Sequence, residues 1–275
     1  IFDDISYKCS EITTKAYSTS FSLGILMLNK RLRGPIYGIY GFVRFADEIV
    51  DSFNDYNNKL LFNKFKEDTY LAIQDKISLN PILNNFQHIV HKYKIENNLI
   101  DSFLTSMEMD LSEKKYDEKE LKKYILGSAE VVGLMCLKIF LNGDEPKYEK
   151  LKPYAMNLGS AFQKINFLRD LNHDYEKLGR IYFPNINLTK FNNQEKNNIE
   201  NEIEIEFKEG LKGIELLPKS AKHGVYLSYL YYYKLFKKIK KIPAKSILKK
   251  RIRISNLYKL ILFILCVVKL LFRRI

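Results

Sequence analysis

Tryptophan is absent from the 275 residues, glycine and proline are scarce at 12 and 7, and cysteine occurs three times. So few chain breakers exclude a molecule built from many tight turns. Apolar positions recur at three- and four-residue spacing rather than by alternation, so the expected class is all-α. No Pro-, Gly- or Ser-rich linker divides the chain, and 46% hydrophobic content supplies one sizeable core, so residues 1–275 read as one domain. Cys9, Cys136 and Cys266 are odd in number, far apart and set in apolar contexts. That argues against a disulfide framework and against a thiolate metal site, and a reduced, cytoplasmic setting is expected. Residues after Ile1 show no charged-then-apolar signal segment, so secretion is not expected.

Acidic residues are missing from the last fifth of the chain. From residue 216 onward there are 16 Lys and Arg and no acid, which leaves 29 cations against 32 acids before it. The net charge of +13 therefore belongs to the C-terminal segment. Such a block suits nucleic acid, an anionic membrane surface or a polyanionic substrate. Here it accompanies an apolar run, Leu260 to Val268, followed by Lys269, Leu270, Leu271, Phe272, Arg273 and Arg274, and no groove-reading motif, so no nucleic-acid partner is expected. The run is shorter than the roughly 20 residues that span a bilayer. It reads as a helix docked on the core or an interfacial helix flanked by cations, and both hold if it packs at the rim of an apolar channel. Peripheral contact with the inner face of the cytoplasmic membrane is the expectation.

Periodicity predicts helices over 5–28, 34–54, 57–78, 81–94, 97–112, 118–142, 146–177, 195–216, 219–241 and 246–273. Pro35 suits the first turn of the second, Asn80-Pro81 opens the fourth, and Asn142-Gly143-Asp144 stops the sixth. Two of these helices carry paired acids. On an ideal helix with Asp47 at zero, Tyr40 lies at about 20°, Asp51 at about 40° and Arg44 at about 60°, with Phe42, Phe45, Ala46, Ile49 and Val50 elsewhere. With Gln163 at zero, Asp170 lies at about −20°, Asp174 at about 20° and Asn166 at about −60°. Acids four apart are common on solvated helices, and Glu113/Asp117, Glu145/Glu149 and Glu202/Glu206 are further cases. What distinguishes Asp47/Asp51 and Asp170/Asp174 is their apolar helices and the Arg before each, Arg44 and Arg169. Like charges at this spacing repel, and a cation is the natural compensation. Oxygen-only ligands suit Mg2+ (Mn2+ is the alternative), which bridges one or two carboxylates to substrate phosphates. A metal cluster opening on an aromatic cavity fits a long hydrocarbon ending in diphosphate.

At these residues the chain resembles the squalene/phytoene synthase family, most of all its bacterial phytoene synthases. The first signature stands as Tyr40-Gly-Phe-Val-Arg44-Phe-Ala-Asp47-Glu-Ile-Val-Asp51, and the second as Gly159-Ser-Ala-Phe-Gln163-Lys-Ile-Asn166-Phe-Leu-Arg169-Asp170-Leu-Asn-His-Asp174. Tyr17-Ser18-Thr19-Ser20-Phe21 resembles the family's diphosphate-contacting segment, and Gly179-Arg180-Ile-Tyr182-Phe-Pro184 the loop after the second signature. Ser106 to Leu111, Ala129 to Gly133 and Lys250 to Ser255 extend the likeness.

The resemblance implies an isoprenoid-synthase helical bundle around a central cavity. It implies a prenyltransferase that joins two geranylgeranyl diphosphates head to head through a cyclopropylcarbinyl diphosphate to phytoene, the first committed step of carotenoid biosynthesis. Squalene or dehydrosqualene synthesis from two farnesyl diphosphates is the alternative, and a non-catalytic membrane-associated assembly factor a further one. By the same resemblance Asp47, Asp51, Asn166, Asp170 and Asp174 would hold Mg2+, and Ser18, Ser20, Arg44, Arg169 and Arg251 would face diphosphate oxygens. Tyr17, Thr19, Tyr40, Gln163, Arg180, Tyr182 and Tyr232 fall on substrate-site positions, and Phe21, Tyr124 and Val132 would line the hydrocarbon cavity. His173 is expected to be solvated rather than a ligand. No Gly-rich dinucleotide fingerprint follows a strand, and NADPH is not expected.

Overall fold

The computed structural model describes the chain except residues 54, 113, 114, 185, 189, 250 and 272–275, and the side chains of 269–271. Glu113, Lys250, Phe272, Arg273 and Arg274 thus lie outside the described residues. Regular structure is helical, with one isolated bridge, Lys115 to Ile181, among the described residues.

Capping chemistry sets the helix ends. The predicted helix 5–28 is two, α1 (Phe2–Tyr17) and α2 (Thr19–Leu26). Ser18 breaks it: its backbone is extended at φ −146°, and its Oγ accepts the Phe21 N–H at 3.2 Å. Helix α3 (Lys30–Asp51) starts at its Asn29 cap, which leaves Pro35 inside the helix rather than in its first turn. Helices α4 (Asn58–Asp75), α5 (Pro81–Tyr93) and α6 (Asn97–Ser112) follow, and Asn80 caps α5 ahead of Pro81. An Asp117/Glu120 capping box opens α7 (Glu118–Ile125), which runs through a π-helical turn, Leu126–Glu130, into α8 (Val131–Leu141). Asn142 and Gly143, at φ 49° and 91°, end it in the left-handed conformation.

The long α9 (Glu145–His173) ends in a second π-helical turn, Asp174–Leu178. Then come α10 (Asn193–Leu216), α11 (Lys219–Lys240), α12 (Ala244–Ile247) and α13 (Asn256–Leu271). The predicted helix 246–273 is thus interrupted, and Arg251 lies on the non-helical stretch 251–255. Arg-Ile-Arg-Ile alternates there with Ile252 buried, a period of two that a helix cannot satisfy.

The back of α3 is held by aromatic packing: Phe42 stacks on Phe86 at 3.8 Å and meets Phe103 at 5.3 Å. Burial of that face turns the opposite stripe of α3 inward, toward α9. Helices α2 and α11 cross at backbone contact, since a Cβ on Gly224 would stand 2.6 Å from the Gly24 carbonyl oxygen. Together α2, α3, α8, α9, α10 and α11 enclose an apolar chamber of about 200 Å³ lined by Leu28, Ile36, Val132, Cys136, Phe140 and Leu158 among others. The segment Glu118–Leu141 is long and apolar enough to cross a membrane, but 67% of its apolar window is buried inside the bundle, which makes it a core element.

Candidate active site

The stripe of α3 faces a polar cleft of about 1010 Å³ at the mouth of the chamber, lined by Arg44, Asp47 and Asp51. Arg44 Nη1 donates to Asp47 Oδ2 at 2.9 Å, while its Nε is buried without an acceptor. Asp51 Oδ1 accepts from Arg180 Nη1 at 2.7 Å. Burial and the charge of Asp47 push the Asp51 pKa up, and Arg180 opposes them.

Helix α9 supplies the opposite wall. Gln163 Nε2 donates to Ser128 Oγ at 3.2 Å, Asn166 Nδ2 donates to Gln163 Oε1 at 3.2 Å, and the Tyr232 hydroxyl donates to Asn166 Oδ1 at 3.2 Å. Arg169 Nη2 and Asp170 Oδ2 are 2.5 Å apart, and Arg251 Nε reaches Asp170 Oδ1 at 2.5 Å. Asp174 is pushed up to about 7 by burial and by the charges of Asp170 and Asp51. Asp51 belongs to the other motif, so the two acidic pairs feel each other across the cleft. His173 Nδ1 stays 3.7 Å from Asp174 Oδ1 with its ring exposed.

The predicted residues gather around this cleft. Tyr17, Ser18, Thr19, Ser20, Phe21, Tyr124, Tyr182 and Arg251 line it with the four aspartates, and Tyr40 and Val132 line the apolar chamber. Phe21, Arg44, Gln163, Asn166 and Tyr232 line both, so chamber and cleft are continuous. In the run Tyr229 to Tyr233, Tyr232 is the ring stacked on Phe162 at 4.0 Å, whereas Tyr229 and Tyr233 pack on Phe207. Arg180 differs from its expected place on the cleft wall. It is 5% exposed, and its guanidinium sits behind Asp51, held also by the Asp110 carbonyl at 2.9 Å.

Sequence reasoning missed Asp110, Ser128, Phe162 and Lys259. Asp110 carried little signal, being an acid between Met109 and Leu111 with Lys114 four residues on, like any acid of a solvated helix. Ser128 and Phe162 lie inside quoted motifs or beside them without distinctive chemistry. Lys259 lines the cleft only because α13 folds back over its mouth.

Among the described residues no group of three His, Cys, Asp or Glu is arranged to hold a metal ion by itself. The donors nevertheless fit Mg2+ in the way that ion is usually held. Asp51 and Asp174 are half-buried carboxylates crowded by like charges, all donors are oxygen, and Mg2+ takes one or two carboxylates together with substrate phosphates rather than an all-protein cage.

Known proteins resemble this chain in sequence and in fold. The family model described as squalene/phytoene synthase matches residues 14–258. The chain is 28% identical to 4,4'-diapophytoene synthase of Staphylococcus haemolyticus over 67% of its own length and 64% of that protein. It is 25% identical to phytoene synthase 1 of Zea mays over 84% of the chain and 60% of that protein, and 26% identical to presqualene diphosphate synthase of Rhodopseudomonas palustris over 62% and 59%. The matches thus take in about three fifths of these relatives' lengths. A dehydrosqualene synthase crystal structure superposes with TM-score 0.80 at 20% identity, covering 98% of this chain and 97% of that one. Squalene synthase HpnC of Alicyclobacillus acidocaldarius gives 0.74 at 20% identity over 86% and 93%. The all-α bundle is therefore the isoprenoid-synthase architecture. The relatives make different named products, so the likeness to bacterial phytoene synthases narrows to a statement about the family. The chain belongs to the squalene/phytoene synthase family.

Proposed function

We propose that residues 1–275 form one catalytic domain that joins two prenyl diphosphates head to head, C1 to C1′, through a cyclopropylcarbinyl diphosphate. The observation that carries this is the continuity of two chambers. Opposed aspartate pairs with their arginines form a charged cleft, and an aromatic and aliphatic cavity opens from it. A diphosphate on a long hydrocarbon matches both in one molecule.

Asp47, Asp51, Asn166, Asp170 and Asp174 would hold Mg2+, or Mn2+ in its place. When bound, the metal neutralises charge developing on the leaving diphosphate. Arg44, Arg169 and Arg251, now on Asp47 and Asp170, turn to the diphosphate oxygens, with Ser18 and Ser20 beside them. Phe21, Tyr40, Phe162 and Tyr232 present ring faces along the chamber neck, which exclude water and favour a carbocation.

We read the substrate as geranylgeranyl diphosphate and the product as phytoene, without NADPH. The likeness to a 4,4'-diapophytoene synthase and to a dehydrosqualene synthase structure favours a second reading, in which two farnesyl diphosphates give squalene or dehydrosqualene. Incubation with each prenyl diphosphate and Mg2+, with and without NADPH, followed by mass identification of the hydrocarbon, decides between them. Folded protein that releases no diphosphate from either substrate would overturn the proposal.

A lipid substrate also gives the C-terminal helix a role. On α13, Leu257, Leu260, Ile261, Ile264, Leu265 and Val268 are exposed, while Leu262 and Cys266 pack on Leu227 and Tyr231. Arg251, Arg253 and Lys259 stand at the cleft beside this face. The proposal places the protein in the cytoplasm, with this face on anionic lipid at the membrane's inner surface and no nucleic-acid partner.

A further inference from the structure

Asp110 lies on α6, outside both acidic motifs, and is 8% exposed. Three phenols converge on its carboxylate. Tyr124 donates to Oδ2 at 2.7 Å, and Tyr182 and Tyr116 donate to Oδ1 at 3.2 and 3.3 Å. Arg180 Nη1 is 3.5 Å from Oδ1, and Arg180 Nη2 donates to the Asp110 backbone oxygen at 2.9 Å. Tyr124 and Tyr182 line the polar cleft, whereas Asp110 does not. Tyr124 therefore has one side toward the substrate space and donates on the other to a buried carboxylate.

A single tether for Arg180 would not need three phenols. A neutral phenol accepts a proton only if its own proton has somewhere to go, and Asp110 is the acceptor already bonded to it. Burial pushes the Asp110 pKa up to about 7, with Arg180 opposing and Asp51 adding to the shift, so the carboxyl takes up or releases a proton near neutrality.

We propose that Asp110 is the positioning residue and final proton acceptor for closure of the cyclopropane, acting through Tyr124. This rests on the head-to-head reading above. After the acceptor double bond has attacked donor C1, a tertiary cation remains. The electron pair of the C–H bond at donor C1 closes the third ring bond. The released proton goes to the Tyr124 oxygen as the Tyr124 hydroxyl proton passes to Asp110 Oδ2. Tyr124 ends as it began and Asp110 ends as the neutral acid, so charge and atoms balance without a further reactant. Tyr182 and Tyr116 hold the carboxylate in register.

The test uses the full chain with Mg2+ and the prenyl diphosphate that wild type consumes, and measures diphosphate release and cyclopropylcarbinyl diphosphate separately. Asp110→Asn keeps the bond from its backbone oxygen to Arg180 and so spares the anchor behind Asp51. The expected result is cyclopropane formation lowered roughly 100-fold or more, KM unchanged, and the donor lost instead as allylic alcohol. Tyr124→Phe, which leaves Asp110 in place, gives the same partition, and Asp110→Glu restores part of the cyclopropane yield. An unchanged ratio of cyclopropane to released diphosphate in both variants overturns the proposal, as does a parallel fall of both products, which marks a structural role. If Asp110→Asn does not fold, Tyr124→Phe alone decides by the same ratio. Wild type that releases no diphosphate overturns the underlying reading and this proposal with it, and is told apart because no variant is needed to see it.

Discussion

Arg251 holds Asp170 from 81 positions further along the chain, its Nη2 on Oδ2 at 2.9 Å and its Nε 2.5 Å from Oδ1. Arg169 takes the same carboxylate from α9, with Nε 3.1 Å from both oxygens. Two guanidiniums thus saturate the first aspartate of the second motif. In the reaction proposed above those contacts would be exchanged, with both arginines on diphosphate oxygens and Asp170 left to hold Mg2+.

Arg251→Ala separates these roles. The Arg251 side chain is 43% exposed, so its ion pair contributes about 0–1 kcal/mol to stability. A charge-assisted bond to a diphosphate oxygen contributes about 1.5–3 kcal/mol. Thermal unfolding is therefore expected to shift by no more than a few degrees, while kcat/KM falls roughly 10- to 100-fold. Calorimetry beside steady-state assays checks both halves.

Asp170→Asn keeps the shape and removes the charge that both arginines hold. Turnover is expected to fall by about 10³-fold or more, with the helical circular dichroism spectrum unchanged. Near-wild-type activity with saturating Mg2+ would sink the metal assignment.

Glu130 offers a pH test away from the cleft. Its pKa is pushed up to about 7 from an ordinary 4.5 by burial and by Glu206, with Lys164 opposing. The folded state then binds more protons than the unfolded one between these values, so stability falls as pH rises from about 4.5 to about 7 and stays reduced above that. Glu130→Gln removes the charge that ionisation creates. It is expected to raise Tm by roughly 2–4 °C at pH 8 and to leave it unchanged at pH 4, as read by thermal scans at both.

The exposed face of α13 predicts binding to lipid. Wild type is expected to sediment with vesicles containing phosphatidylserine and to be released at high salt, because the cationic contribution is screened. The double variant Ile264→Glu, Leu265→Glu carries charge into positions that are 50% and 51% exposed. It should lose sedimentation while retaining activity on detergent-dispersed substrate. Unaltered vesicle binding would exclude this face as the contact.

The sequence by itself determined what is local. The 3.6-residue period placed Tyr40, Arg44, Asp47 and Asp51 on one stripe of α3, and Gln163, Asn166 and Asp170 on one stripe of α9, because neighbours on a helix are set by spacing alone. Caps such as Asn80 and the Asn142-Gly143 stop were legible for the same reason. Ser18 and the stretch 251–255 were not. Ser18 looks like any polar helix residue until its Oγ closes on Phe21, and the Arg-Ile alternation over 251–254 signals an extended segment only once Ile252 is seen packed beneath the cleft. The tertiary structure alone decided that Arg180 reaches Asp51 across 129 positions, that Arg251 reaches Asp170, and that Asp110 meets Tyr116, Tyr124 and Tyr182. Those contacts depend on how whole helices cross, and helix crossings are set by side-chain volume and close backbone approach, as at Gly24 and Gly224, rather than by the spacing of charges along the chain.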